Sequence, residues 1–151
     1  MKRSELREIA MHISFALGVY PRPVDVLLED LLDKDYYQTL AEEDELYAEY
    51  PSKKEIAYLR QVAEGLGEHL VELDFYIEKY AQGWKVGRIS RVAVAIMRVS
   101  MYEILYMPEV PGGVAINEAV EMAKKYEDAD VVSFMNGILG SFIRNELTEN
   151  A

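Results

Sequence analysis

The 151-residue chain contains no cysteine, which excludes disulfides and thiolate zinc sites and fits a reducing compartment. Histidine is scarce too, with only His12 and His69. No nucleophile–base signature accompanies either of them. In GLGEHLVELD (65–74), His69 and Glu72 stand three apart, but no second histidine is placed to complete a ligand set. The glycines there fall inside a predicted helix rather than at a strand-to-helix turn, which argues against a phosphate loop. Neither a catalytic group, a metal nor a cofactor is expected. Long apolar runs are missing: nothing approaches the roughly 18 residues of a membrane span, and MKRSELREIA has no signal-like apolar stretch. A soluble, cytoplasmic protein is expected. Positive charge is also in deficit, with 16 Lys and Arg against 27 Asp and Glu and a net charge of −11. Taken globally, that sign disfavours a nucleic-acid partner.

The distribution of charge says something different. Residues 1–24 carry Lys2, Arg3, Arg7 and Arg22 against two acids, and residues 82–106 carry Lys85, Arg88, Arg91 and Arg98 against Glu103 alone. Residues 25–55 hold eleven acids against three lysines. The acidity is thus concentrated in one segment and leaves two locally basic ones, either of which can hold phosphate although the overall field slows the encounter. The acidic segment reads as solvated surface, or as a docking face for a basic protein.

Apolar periodicity is helical throughout. In 3–20, Leu6, Ile9, Ala10, Ile13, Leu17 and Tyr20 mark one stripe. YPRP (20–23) interrupts the chain, and helix resumes near Pro23, a residue suited to a first turn. The stretch 24–49 reads as helix most clearly in its first half. Ser52 with Glu55 forms a capping box that starts a helix over 53–80, which Gly65 and Gly67 weaken by about 1 kcal/mol each relative to alanine. Residues 88–107 are apolar on almost every side, as in a centrally buried helix. PEVPGG (108–113) reads as a loop, and two further helices are expected at 114–127 and 131–146. No strand, repeat or low-complexity tract is visible. The fold class is all-α, a bundle of about six to seven helices.

On a helical wheel of 3–20 the core stripe centres near Ile13 and Leu17. Phe15 falls opposite, with Met11 and Arg7 between it and the flank of Arg3. An aromatic beside arginines on an outward face suits single-stranded RNA, because bases stack on rings while cations hold phosphates; packing on another helix or a dimer partner is the plainer alternative. Glu103, near the apolar face of its helix, is expected to pair with an arginine or cap a neighbouring helix, since buried acids are normally paired. Arg91 and Arg98, seven apart on one face, are candidates either for phosphate or for that carboxylate. Lys124 and Lys125 close a helix favourably for its dipole.

The segment GWKVGRISRVAVAIMRVSMYEILYMPEVPGGVAINEAVEMAKKYEDADVVSFMNGILG closely resembles the C-terminal half of the NusB family of bacterial transcription antitermination factors. The likeness is carried by the arginine-flanked helix ending in YEILY, by VAINEAVEMAKKY and by FMNGIL, in that order and at those spacings. LREIAMHISFAL resembles the family's first helix more loosely, and 24–55 matches poorly. The resemblance implies a NusB-like fold of two small helical subdomains, 1–81 and 82–151. It implies a non-enzyme that binds a boxA-type RNA of ribosomal transcripts with the small-subunit ribosomal protein NusE, loading an antitermination complex on RNA polymerase; both monomers and dimers fit the family. Carried onto this chain, the RNA-binding residues are Lys2, Arg3 and Arg7, then Phe15, then Asp130, Phe134 and Asn136.

The family's first helix often carries a denser arginine cluster and a tyrosine where Phe15 stands. Weak intrinsic RNA affinity and strong dependence on the ribosomal-protein partner are therefore expected. Asn117, at the edge of the face of Ile116, Ala119, Val120 and Ala123, is expected to fix the PEVPGG loop. Asn136, off the stripe of Val131, Met135, Ile138 and Phe142 and next to Gly137, is expected to face the RNA. A rival reading is an RNA-independent protein–protein adaptor that uses the acidic 25–55 segment. The NusB-like domain fused to ribosomal-RNA methyltransferases is a further rival, but no strand–glycine-loop pattern for a methyl donor is present.

Overall fold

Helix boundaries in this chain follow from its caps. The structure, a computed structural model, describes residues 1–147, and 148–151, the end of the expected second subdomain, lie outside the described residues. Seven α-helices and two short 3-10 turns make up the described part, with no strand among those residues, so the all-α expectation holds. Helix α1 (Arg3–Val19) opens with Glu5 accepting the Lys2 backbone N–H at 2.8 Å. The acidic stretch 24–49, expected as helix most clearly in its first half, is broken by its own side chains. Asp33 ends α2 (Val24–Leu32) and starts α3 (Lys34–Ala41) by accepting from the Tyr36 N–H at 3.0 Å. Asp44 then accepts from Leu46 N–H at 2.9 Å and fixes a 3-10 turn at Glu45–Tyr47. Short polar side chains that bond the nearby backbone compete with a continuous helix, and here they win.

The Ser52–Glu55 capping box is present and starts α4 (Lys53–Tyr80). A 3-10 turn at Val86–Arg88 precedes α5 (Arg91–Tyr106), which starts three residues later than expected because Ser90 caps it, accepting from Ala93 N–H at 3.3 Å. Helix α6 (Gly112–Ala123) takes in both glycines of the expected loop, starting directly after Pro111, and Asp128 caps α7 (Ala129–Glu146).

Helices α1 and α4 both pack on α5, and α6 and α7 close over it. One apolar core runs through the bundle and includes Ile9, Leu59, Leu73, Ile77, Met97, Met101 and Phe142, all essentially sealed from solvent. Each such side chain contributes about 1.5–3 kcal/mol by leaving water. Gly65 is explained by the α4–α5 contact: a Cβ there would lie 2.0 Å from the Tyr102 ring. Gly67, two residues on, faces open space.

Candidate nucleic-acid interface

Helix α1 supplies the first of the expected residues, and it is more enclosed than a single-helix wheel implies. It contacts α4, α5, α6 and the 45–47 turn. Met11 and Arg7, placed on the outward flank by the wheel, are buried. Arg7 is 5% exposed, and its Nε donates to Glu103 Oε1 and Oε2 at 3.0 and 3.1 Å. The Tyr58 hydroxyl donates to the same carboxylate at 3.1 Å, and Glu118 lies 3.7 Å from the guanidinium. Burial pushes the Tyr58 phenol well up, and the Glu103 charge adds to the effect. For Arg7, burial opposes the charge, but the bonds to Glu103 outweigh it and the net shift is upward. Glu103 is therefore paired with an arginine, as expected, but the arginine is Arg7 rather than Arg91 or Arg98. Arg7 thus ties α1 to α5 through its Nε, with the side chain almost wholly enclosed. Lys2 and Arg3 stay exposed at the helix start, about 18 Å along the axis from Phe15.

Phe15 is half-buried and lines a groove of about 240 Å³ with Gly18 and Val19 of α1, Val86 and Gly87 of the 3-10 turn, and Arg91 of α5. Arg98 stands at its back, locked by two bonds to Asp74 at 2.8 and 2.9 Å. Arg91 is exposed and has no carboxylate partner among the described residues.

A second groove of about 240 Å³ adjoins the first through Ile89, which lines both. Its walls are Trp84, Arg88, Asp130 and Phe134. The indole is 54% exposed and meets Phe134 edge-to-face, with ring centroids 6.4 Å apart. Gln82 (φ 51°) and Gly83 (φ 93°) turn the chain at the end of α4 and deliver Trp84 to this wall. Arg88 is exposed and, like Arg91, makes no salt bridge among the described residues. Sharing Ile89 as a wall, the two grooves make up a track that carries Phe15 and Arg91 in one part and Arg88, Trp84 and Phe134 in the other, an arrangement able to stack bases and hold phosphates.

The structure therefore brings Phe15, Asp130 and Phe134 to one track. Asn136 is exposed, makes no hydrogen bond among the described residues, and lines neither groove. Asn117 is likewise exposed and unbonded among them, so it does not fix the 108–113 loop; the backbone following Pro111 makes that helix entry. Trp84 and Arg88 belong to the track and were missed as a pair. Their signal was an aromatic beside cations in a glycine-flanked stretch, GWKVGR. His69 stacks on Tyr106, centroids 4.1 Å apart, and meets Glu72 at 3.5 Å.

The profile of the NusB family matches residues 4–144. The chain belongs to the NusB family. NusB proteins are transcription antitermination factors, not enzymes. The chain is 34% identical over 149 residues to the transcription antitermination protein NusB of Ruminiclostridium cellulolyticum, covering 99% of this chain and 93% of that one. It is 35% identical over 146 residues to that of Thermoanaerobacter sp. strain X514, covering 97% and 93%. T. maritima NusB superposes with a TM-score of 0.80 at 26% identity, covering 99% of this chain and 96% of that chain. The protein chain of a crystal structure of a plectonemic RNA supercoil shares the NusB fold, with a TM-score of 0.75 at 21% identity over 98% and 99% of the two chains. No described helix is long and apolar enough to cross a membrane.

Proposed function

We propose that this chain binds a boxA-type RNA of ribosomal RNA transcripts together with the ribosomal protein NusE, as part of a cytoplasmic antitermination complex on RNA polymerase. The observation that carries the reading is the pair of grooves that share Ile89, one lined by Phe15 and Arg91 and the other by Arg88, Trp84 and Phe134. Bases stack on Phe15 and in the Trp84–Phe134 notch, while the two arginines take phosphates. Asp130 at the rim accepts from a base amino group, and Asn136 and the exposed Lys2 and Arg3 extend contacts beyond the track. In this reading the subdomain 1–81 contributes α1, and 82–151 contributes the rest of the track.

Arg7 enters as a positioning residue that holds α1 against α5. With only two free arginines on the track, the chain alone binds weakly and NusE raises the affinity.

The test is a titration of fluorescent boxA-type RNA with the chain alone and with NusE, at two salt concentrations. Salt-dependent binding that a scrambled RNA does not displace, and that Trp84→Ala weakens, supports the proposal. If NusE binds but RNA never does, the adaptor reading replaces it.

A further inference from the structure

A large groove lies away from the RNA track, on the other flank of α1. His12, Ile13 and Ala16 face it, whereas Ser14, Phe15, Gly18 and Val19 face the track. It is a groove of about 700 Å³ between α1, α2, α3 and the 45–47 turn. Its floor is apolar, built from Ile13, Leu27, Leu31 and Leu40. One wall is preset: His12 is pinned by the Tyr47 hydroxyl at Nδ1 (2.6 Å) and the Tyr126 hydroxyl at Nε2 (3.0 Å).

The rim carries Glu29, Asp30 and Asp33. Asp33 caps α3, while Glu29 and Asp30 have no cation partner among the described residues. The surrounding segment, 25–55, has eleven acids and three lysines. Between Pro21 and Pro23, Arg22 also lines the groove. Its Nε is buried without an acceptor, and its guanidinium carbon lies 5.6 Å from the centre of the Tyr20 ring. A buried donor of this kind is costly unless something supplies an acceptor.

We propose that this groove docks a basic, amphipathic polypeptide segment of a partner protein. Apolar side chains of the segment fill the floor, and its Lys or Arg side chains lie over Glu29 and Asp30. An amphipathic polypeptide offers both features together. RNA and anionic membranes are repelled by the rim, and a second copy of a chain with net charge −11 meets the same field. The groove lies apart from the RNA track, so it stands or falls independently of the RNA reading.

The experiment uses the full chain and a fluorescein-labelled peptide in which leucine and lysine recur at helical spacing, read by anisotropy and by amide chemical-shift mapping. Controls replace its lysines by glutamate, or its leucines by glycine. Saturable binding of the Leu/Lys peptide alone is expected, with shifts at residues 12–16 and 22–40. The double variant Glu29→Lys with Asp30→Lys should weaken it by at least about tenfold, and Glu68→Lys with Glu109→Lys by less than about twofold, because a specific charge pair outweighs a screened distant one. Ala16→Gln fills the groove without changing charge and should also weaken binding, with far-UV circular dichroism unchanged. No saturable binding, equal binding of the Gly/Lys peptide, or shifts mapping elsewhere overturns the proposal. Competition by boxA-type RNA, or self-association that shifts the same resonances, assigns the groove to RNA or to a second copy and overturns it as well.

Discussion

Arg7→Ala separates a structural arginine from an RNA-binding one. Removing the guanidinium leaves Glu103, 1% exposed, with the Tyr58 hydroxyl as its remaining close donor. Breaking one side of a buried ion pair strands the other charge, at a cost of about 3–5 kcal/mol. With an m-value of about 2 kcal/mol/M, the urea midpoint falls by about 2 M. A matched double variant, Arg7→Met with Glu103→Leu, removes both charges. Replacing a buried pair by apolar groups of similar volume is often neutral, so this protein recovers most of the loss despite the stranded Tyr58 hydroxyl. The assay is urea unfolding followed by circular dichroism, with RNA titration of each folded variant at the same temperature. The double variant binds RNA within about twofold of the parent, since neither residue reaches the track. The reasoning is refuted if Arg7→Ala unfolds within about 1 kcal/mol of the parent. It is refuted equally if the double variant is stable yet binds RNA tenfold more weakly, because Arg7 would then be touching the ligand.

Gly65→Ala and Gly67→Ala should move stability in opposite directions in the same unfolding assay. The first forces a methyl into the Tyr102 ring and costs about 1–3 kcal/mol, while the second meets nothing and gains about 0.5–1 kcal/mol of helix propensity. On the track, Trp84→Ala and Phe134→Ala each remove a stacking surface worth about 1–3 kcal/mol, read as a loss of RNA affinity with little change in salt slope. Arg88→Gln and Arg91→Gln should instead flatten the salt slope by about 0.7 each, as expected for a lost phosphate contact on a single strand. His12 makes stability pH-dependent: burial lowers its pKa from 6.5, with Lys125 adding to the shift and Glu8 and Asp44 opposing it. The unfolded chain then takes up a proton first as pH falls below 6.5, so this contribution is full above that value and is lost on acidification through the lower folded value. Urea midpoints at about pH 7.5 and about pH 5.5 should differ in the parent and converge in His12→Gln. Equal slopes in both proteins remove His12 as the cause.

Local chemistry made the helices legible, and distance hid the site. Ser52 with Glu55 declared the start of α4, and the all-round apolar character of 88–107 declared a central helix, because each signal acts within a few residues. Arg7 was misplaced for the opposite reason. Its partner is 96 residues away, and a wheel of α1 alone carries no information on how many helices surround it. The same blindness hid the Trp84–Phe134 notch, whose two rings are joined only by the reversal at Gln82 and Gly83 and the return of α7. Charge could be counted from the sequence, but which cations are already spent could not. Arg98 looked equivalent to Arg91 until Asp74 claimed it. In the proposed reading, an acidic chain offers RNA a face by burying or pairing Arg7 and Arg98 while leaving Arg88 and Arg91 without a salt bridge among the described residues, near the exposed Trp84. A charge-neutral swap tests that distinction directly. Arg98→Lys with Asp74→Glu should shift stability and leave the RNA salt slope alone, whereas Arg91→Glu should do the reverse.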